Sequence, residues 1–281
     1  MKPSISLILT VYNEAGNIAV FLESIRAQTV LPDEIIIVDG GSTDDTPALI
    51  ARFIVENKGL NLKLIGETER INIAKGRNIA ISRSKGGIIA VTDAGCVLDG
   101  NWFREITEPF SKDDSIDIVS GWYEPLMETG FHRKAADATA PALADIDPAS
   151  FLPSSRSIAF KRACWEKAGG YPEHLTLCGE DTLFDLNLKE LGFKFFFNPQ
   201  AKVFWRMRDN LRALLRQTYM YGLGDGEARI FTGTYCVRVL ALLFPPLMVF
   251  TKKGFKYFGL RYLIYWALVL GWKKGYLKKK T

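Results

Sequence analysis

The sequence predicts an α/β fold, a largely parallel sheet covered by helices on both faces, followed by a helical carboxy-terminal segment. Three observations carry this. Short, nearly continuous apolar runs alternate with stretches of helical periodicity through the first half of the chain, the pattern of buried parallel strands. Gly, Ser, Asp and Asn gather directly after several of those runs, where strand-to-helix turns fall. The third is a charge split: residues 229–281 hold 11 Lys plus Arg and no Asp or Glu, against 25 basic and 31 acidic residues before them, so a body of −6 precedes a tail of +11.

Taken in order, Ile5–Val11 (ISLILTV) reads as the first strand, and Ile18, Phe21, Leu22 and Ile25 within 15–28 mark one face of a helix. Glu34–Asp39 (EIIIVD) is the second strand; Thr46 suits an N-cap and Pro47 the first helical position after it. Residues 62–65 give a third strand, 73–82 a helix and 87–92 (GIIAVT) a buried fourth strand. Beyond Asp93 the pattern is less regular. Residues 116–122 and 157–160 read as strands, 130–153 as a long loop or short helices beside a site, and 161–168 as a short helix closed by Gly169 and Gly170. A helix from Asp181 to Leu191 and a strand over 193–197 (FKFFF) come next. Asp209 or Asn210 then caps a helix with Leu211, Leu214, Leu215, Thr218 and Tyr219 on its apolar face.

Several function classes are excluded or weakened. The positive charge is a terminal segment and not a face spread over the fold, which argues against nucleic acid as a partner. The four cysteines at 96, 164, 178 and 236 form no CxxC pair, and His132 and His174 are too far apart for an HxxxH arrangement, so a structural zinc site or a Ser-His-Asp hydrolase has poor support. No GxGxxG follows the first strand and no GxxxxGK[ST] loop occurs, which removes the sequence support for a dinucleotide-binding oxidoreductase and for a P-loop enzyme.

The chemistry-bearing residues lie where strands end. These are Thr10, Tyr12, Asn13 and Glu14 after the first strand, Asp39 to Thr46 (DGGSTDDT) after the second, and Thr92, Asp93, Ala94, Gly95 and Cys96 after the fourth. Ligands of open α/β sheets bind beyond the carboxyl ends of the strands. Asp39 and Glu14 there offer acceptors to a base and a ribose, and two glycines beside Asp39 let a ligand approach the backbone. For Ser42, Asp44 and Asp45, turn chemistry in front of a helix is the simpler reading.

With these residues in view, the chain resembles the family 2 glycosyltransferases of GT-A fold, in which a mixed, Rossmann-like nucleotide-binding sheet carries helices on both faces. The resemblance rests on Tyr12-Asn13-Glu14, on Asp39 to Thr46, on Gly76-Arg77-Asn78, on Thr92-Asp93, and on Gly169-Gly170-Tyr171 followed by Gly179-Glu180-Asp181. It implies transfer of a sugar from a nucleotide-diphosphate donor to an acceptor hydroxyl, with inversion. It also implies that Tyr12, Glu14 and Asp39, with Thr10 beside them, hold the nucleoside, that Arg77 and nearby Lys75 face the diphosphate, and that Asp93 lies beside the ribose and a metal ion. Asp181 is the implied general base, with Glu180 the second choice; a carboxylate on a Gly-flanked loop leading into a helix suits that role.

Two positions depart from the family pattern. The Asp-x-Asp metal motif is Asp93-Ala94-Gly95 here, and Val203-Phe204-Trp205-Arg206 stands where a histidine is often found. Mn²⁺ or Mg²⁺ is therefore expected on Asp93 as the one carboxylate, with water and the donor's phosphates completing the ligands. Arg206 and Arg208 are alternative sources of positive charge. These departures also keep open an inactive nucleotide-sugar-binding or scaffold protein of the same fold. Arg156 suits either a phosphate contact or a surface ion pair, and Trp122 and Tyr123 either a sugar platform or core.

The division expected is a GT-A domain over 1–208 and an amphipathic, basic, membrane-associating region over 209–281. Residues 230–251 carry one charge, Arg238, but Gly233, Pro245 and Pro246 interrupt them, and 262–272 is short. Aromatics at 255, 258, 262 and 266 with Lys253, Lys256, Arg261, Lys273 and Lys274 around them suit short interfacial or re-entrant helices at an anionic surface. The amino-terminal residues run into a strand with no apolar signal core, so the expected location is the cytoplasmic face of a membrane, with a lipid-linked or cell-envelope saccharide as acceptor.

Overall fold

A computed structural model of the chain describes residues 3–176, 178–250 and 254–278. Among these, the elements in chain order are β1 (Ile5–Val11), α1 (Ile18–Arg26), β2 (Glu34–Asp39), α2 (Thr46–Glu56), β3 (Leu62–Gly66), α3 (Ile73–Arg83), β4 (Ile88–Val91), β5 (Cys96–Leu98), α4 (Trp102–Thr107), α5 (Pro109–Lys112), β6 (Ile118–Leu126) and α6 (Gly130–Thr139). After these come β7 (Ile158–Lys161), α7 (Arg162–Ala168), α8 (Glu180–Glu190), β8 (Phe195–Arg206), α9 (Leu211–Ala228), α10 (Thr232–Leu243) and α11 (Phe258–Leu277). The chain forms two compact units. The first comprises Met1–Glu124, Ile146–Glu173 and Phe184–Trp205; the second comprises Pro125–Asp145, His174–Leu183 and Arg206–Thr281.

The first unit is built on one mixed sheet of order β3-β2-β1-β4-β7-β6-β8-β5. β1 pairs in parallel with β2 and β4, and β2 with β3, while β4–β7, β6–β7 and β5–β8 are antiparallel. Alternation along the strands explains the two cores. Leu7, Leu9, Val11, Ile35 and Ile37 face α1, α2 and α4 through Ile18, Phe21, Leu22, Ile50, Phe53 and Trp102. Ile8, Ile36, Val38, Ile89 and Val91 face the other way, onto Ala80 and Ile81 of α3, Cys164 of α7, and Phe184 and Leu188 of α8. Both faces of the sheet are buried, which is why these strands read as continuous apolar runs.

The structure corrects the sequence reading at Thr46 and in the length of β8, adds β5, and decides between the loop and the short helices expected over 130–153. Thr46 is the first residue of α2 and not its cap; its hydroxyl instead donates to Asp44 Oδ1 and accepts from the Glu14 amide at 2.8 Å. β5 has only three residues and its partner lies more than a hundred positions away, so no local periodicity marks it. Residues 130–139 form α6, capped by the Thr129 hydroxyl, and His132 sits buried in that helix against Asp209 at 3.1 Å. β8 runs for 12 residues, well past the FKFFF segment.

In the second unit α9 and α11 pack backbone to backbone. A Cβ on Gly222 or Gly226 of α9 would meet the Leu268 or Trp272 carbonyl, and one on Gly271 or Gly275 of α11 the Tyr219 or Leu223 carbonyl. Two Gly-x-x-x-Gly faces thus meet, a spacing that lets helices approach closely. α11 is one 20-residue helix that runs past the uncharged stretch 262–272 at both ends; near its start Arg261 is buried and donates to the carbonyls of Gly254 and Met248 instead of facing solvent, while Lys273 and Lys274 near its end are exposed. Lys256 pairs with Asp137 at 2.8 Å, and Lys253 lies outside the described residues. Among the described residues no helix is long and apolar enough to cross a membrane.

Candidate active site

The parallel strands β1, β2 and β4 point to the same end of the sheet, β1 and β2 ending level at Val11 and Asp39, and the turns after these two are tied to one another. Asn13 adopts a left-handed φ of 53° and links both turns: its amide donates to Ser42 Oγ at 2.9 Å and its Oδ1 accepts from the Thr43 amide at 2.8 Å. Asp44 accepts from the Ala15 amide at 3.1 Å and the Thr46 amide at 3.0 Å; desolvation acts to raise its carboxyl, but the Thr46 hydroxyl bond and these two amide bonds hold it below its ordinary value. Glu14 accepts from Asn17 Nδ2 at 2.9 Å. Asp39 is buried and receives Ser42 through its amide at 3.0 Å and its hydroxyl. Its carboxylate therefore shapes the turn while each oxygen keeps a further lone pair. The Arg70 guanidinium lies 4.4 Å from the Tyr12 ring centroid, a partner that no motif indicated.

Among the described residues Arg77 is the most enclosed cation of this unit. It leaves α3 with its side chain 2% exposed, donates from Nη2 to Asp93 Oδ1 at 2.8 Å, and stands 5.3 Å over the Tyr171 ring. Gly76 places α3 against β1, where a Cβ would collide with Thr10. The residue after Arg77, Asn78, explains two motifs at once. Its Oδ1 accepts from the Tyr171 amide at 2.8 Å and from Trp165 Nε1 at 2.9 Å, and its Nδ2 donates to the Tyr171 carbonyl at 2.9 Å. Gly170 at φ +85° lies so close to Asn78 Oδ1 that no side chain fits. Gly76-Arg77-Asn78 and Gly169-Gly170-Tyr171 are thus one assembly. Lys75 is exposed on the first turn of α3, its amide bonded to the cap Asn72 at 2.9 Å.

Glu180 and Asp181 open α8 and belong to the second unit. Glu180 is buried, and Asp181 Oδ1 accepts from the Thr182 amide at 2.8 Å. In that unit the backbone of Cys178 and Gly179 rests on Gly224 of α9, and the next residue of α9, Asp225, accepts from Tyr235 at 2.6 Å. Burial pushes the Asp225 carboxyl up to about 6, with the Asp181 charge adding to the effect and Tyr235 and Arg238 opposing it.

For a divalent ion the first unit supplies little. Such ions take six or more oxygen ligands. Among the described residues no group of three His, Cys, Asp or Glu side chains comes together. Asp93 is bonded to Arg77, Gly95 has no side chain, and Cys96 is a buried thiol held neutral by desolvation and the neighbouring Asp93 charge. These residues do not form a metal cradle of their own. Trp122 is buried in the core against Phe151 and Phe197, whereas Tyr123 is half-buried; Arg206 and Arg208 are exposed.

The fold and the strand-end turns define a protein of the GT-A class. The chain belongs to glycosyl transferase family 2, whose profile matches residues 6–167; a second profile, glycosyl transferase family group 2, matches 88–273. Among curated relatives, the O-antigen chain rhamnosyltransferase RfbN of Salmonella typhimurium is 26% identical over 215 residues, covering 71% of this chain and 65% of its own length. The glycosyltransferase AglE of Haloferax volcanii is 26% identical over 256 residues, covering 89% of this chain and 82% of its own. The mannosyltransferase PcManGT of Pyrobaculum calidifontis, solved in complex with GDP-Man and Mn²⁺, superposes with a TM-score of 0.69 at 21% identity over 98% of this chain and 88% of that one. TarS of S. aureus, solved with UDP-GlcNAc, superposes with a TM-score of 0.60 at 16% identity over 90% of this chain and 74% of that one.

Proposed function

We propose that this chain transfers a sugar from a nucleotide-diphosphate donor to an acceptor hydroxyl, inverting the anomeric centre, with the donor held at the ends of β1, β2 and β4. The observation that carries this reading is the Arg77–Asp93 pair, a guanidinium fixed just beyond the end of β4, at the same end of the sheet as the Asp39 turn after β2. Tyr12, Glu14 and Asp39 hold the nucleoside with Thr10 beneath, Arg77 and Lys75 face the diphosphate, and Asp93 lies at the ribose. Asp181, with Glu180 beside it in sequence, takes the proton from the acceptor hydroxyl. The acceptor oxygen bonds to the anomeric carbon as the bond from that carbon to the diphosphate breaks, and the electron pair leaves on the diphosphate. The negative charge that builds there calls for fixed cations.

A screen of nucleotide sugars for donor hydrolysis and transfer tests this reading. Asp181→Asn is expected to lower kcat by about a hundredfold or more, the scale of lost general-base catalysis, while leaving donor affinity near wild type. Full activity in that variant removes Asp181 as the base.

The acceptor is a lipid-linked or cell-envelope saccharide at the cytoplasmic face of a membrane; the O-antigen chain named for two relatives supports the saccharide class, and the exposed apolar faces of the second unit support the membrane surface. Val237, Leu240 and Leu243 recur at helical spacing on α10, and Leu263, Trp266 and Leu270 on α11, all at least 42% exposed. Exposed Lys273 and Lys274 add the charge that anionic lipid attracts. Replacing Leu243, Phe244 and Phe250 together by Ser is expected to abolish flotation with anionic liposomes; unchanged flotation argues against membrane docking through this surface.

A further inference from the structure

One of the two positions that depart from the family pattern, Trp205, packs against Arg156, and the role inferred for this arginine rests on the donor site proposed for this chain. β4 and β7 pair antiparallel with Val91 opposite Ile158. Asp93 follows Val91 by two residues and Arg156 precedes Ile158 by two, so both leave the sheet at the same end of this strand pair. On the other side of this end of the sheet, β5 and β8 set Cys96 opposite Trp205. The Arg156 guanidinium lies 4.5 Å from the Trp205 ring centroid and 5.3 Å from that of Tyr123, and its Nη1 donates to Ser154 Oγ at 2.9 Å. Tyr123 and Trp205 meet edge to face at 6.3 Å. Beyond its burial, Cys96 feels the charges of Asp93, Arg156 and Glu14 together.

We propose that Arg156, clamped by Trp205 and Tyr123, is a further cation that meets the donor's diphosphate in this chain alongside Arg77 and Lys75, supplying charge that a carboxylate-held divalent ion would supply if position 95 carried a second Asp. The chemistry fits each part. A guanidinium is always charged and presents a flat fork of donors to phosphate oxygens. Aromatic faces hold it in one orientation without neutralising it. A Cβ at Gly95 would meet nothing within 4 Å, so the second carboxylate is missing by sequence and not through crowding. Trp205, where a histidine is often found in the family, contributes no metal ligand but one wall of the clamp.

The test is calorimetric titration of UDP, GDP, ADP and dTDP into the full chain, in Mn²⁺ and in EDTA. The tightest of the four is expected to bind wild type with affinities within about threefold of each other in the two buffers. Arg156→Gln should weaken binding by about tenfold or more in both, the scale of one charge-assisted hydrogen bond. Arg156→Lys, which keeps the charge and loses the fork, should fall between. Gly95→Asp should make Mn²⁺ tighten binding by about tenfold. Near-ultraviolet circular dichroism reports whether each variant is folded. The wild-type comparison needs no variant: an affinity that collapses in EDTA overturns the proposal, as does wild-type affinity in folded Arg156→Gln. If none of the four diphosphates binds wild type, the donor-site reading itself falls and the proposal with it; binding that survives EDTA and Arg156→Gln alike leaves that reading standing and removes only Arg156.

Discussion

Arg77 Nη2 donates to Asp93 Oδ1 at 2.8 Å, with the arginine side chain 2% exposed and the aspartate 28%. A guanidinium that enclosed is costly unless a carboxylate answers it. Asp93→Ala is expected to destabilise the chain by roughly 3 kcal/mol, since it removes one partner of a mostly buried pair. Asp93→Asn, which keeps an acceptor for Nη2, should cost clearly less. Urea denaturation followed by fluorescence measures both; equal midpoints for wild type and Asp93→Ala would mean that the pair contributes nothing to stability.

The seam between α9 and α11 makes a second prediction. Gly226 and Gly271 each lie against a carbonyl of the facing helix, so any Cβ there must push the helices apart. Gly226→Val and Gly271→Val should each cost about 2 kcal/mol or more, the range of overpacked interiors. Gly233→Ala on α10, where a Cβ meets nothing within 4 Å, should change stability by no more than about 0.5 kcal/mol. Thermal denaturation of the three variants separates a close-packed seam from general intolerance of substitution.

A third prediction concerns pH. The Asp225 carboxyl rises from 3.8 to about 6 through burial first and the Asp181 charge after it, opposed by Tyr235 and Arg238. Between these values the folded chain holds a proton that the unfolded chain has released, so this group's contribution to stability falls as pH rises from about 4 to about 6 and is lost above that. Glu34 and Glu227, whose values are lowered, slope the other way, so the comparison must be between variants. The stability difference between Asp225→Asn and wild type should grow over that window in favour of the variant. Parallel curves from pH 4 to 7 would show that Asp225 is not perturbed.

Several elements were legible in the sequence because their signals are local. β1 and β2 fall where apolar runs end in turn residues, the glycine closure of α7 is present as φ +76° at Gly169, and Asn210 caps α9 by accepting from the Ala213 amide at 2.9 Å. Each depends on a handful of consecutive residues whose backbone preferences are short-ranged. The motifs at the strand ends were legible for the same reason, together with a family resemblance.

What the sequence alone determined is thus the α/β class, the strand ends where chemistry gathers, and the segregation of charge into an acidic body and a basic tail. Only the tertiary structure decided which of those residues meet. Asn78 binds Tyr171 across 93 positions, Cys96 stands opposite Trp205, and Arg156 enters an aromatic clamp that no spacing predicts. It also decided that Arg261, counted with the basic tail, is buried, and that the tail's helix packs on α9 through glycine. The physical reason is that periodicity records how much of a residue is buried, while the identity of the group it is buried against depends on sheet order and register, which are properties of the folded chain.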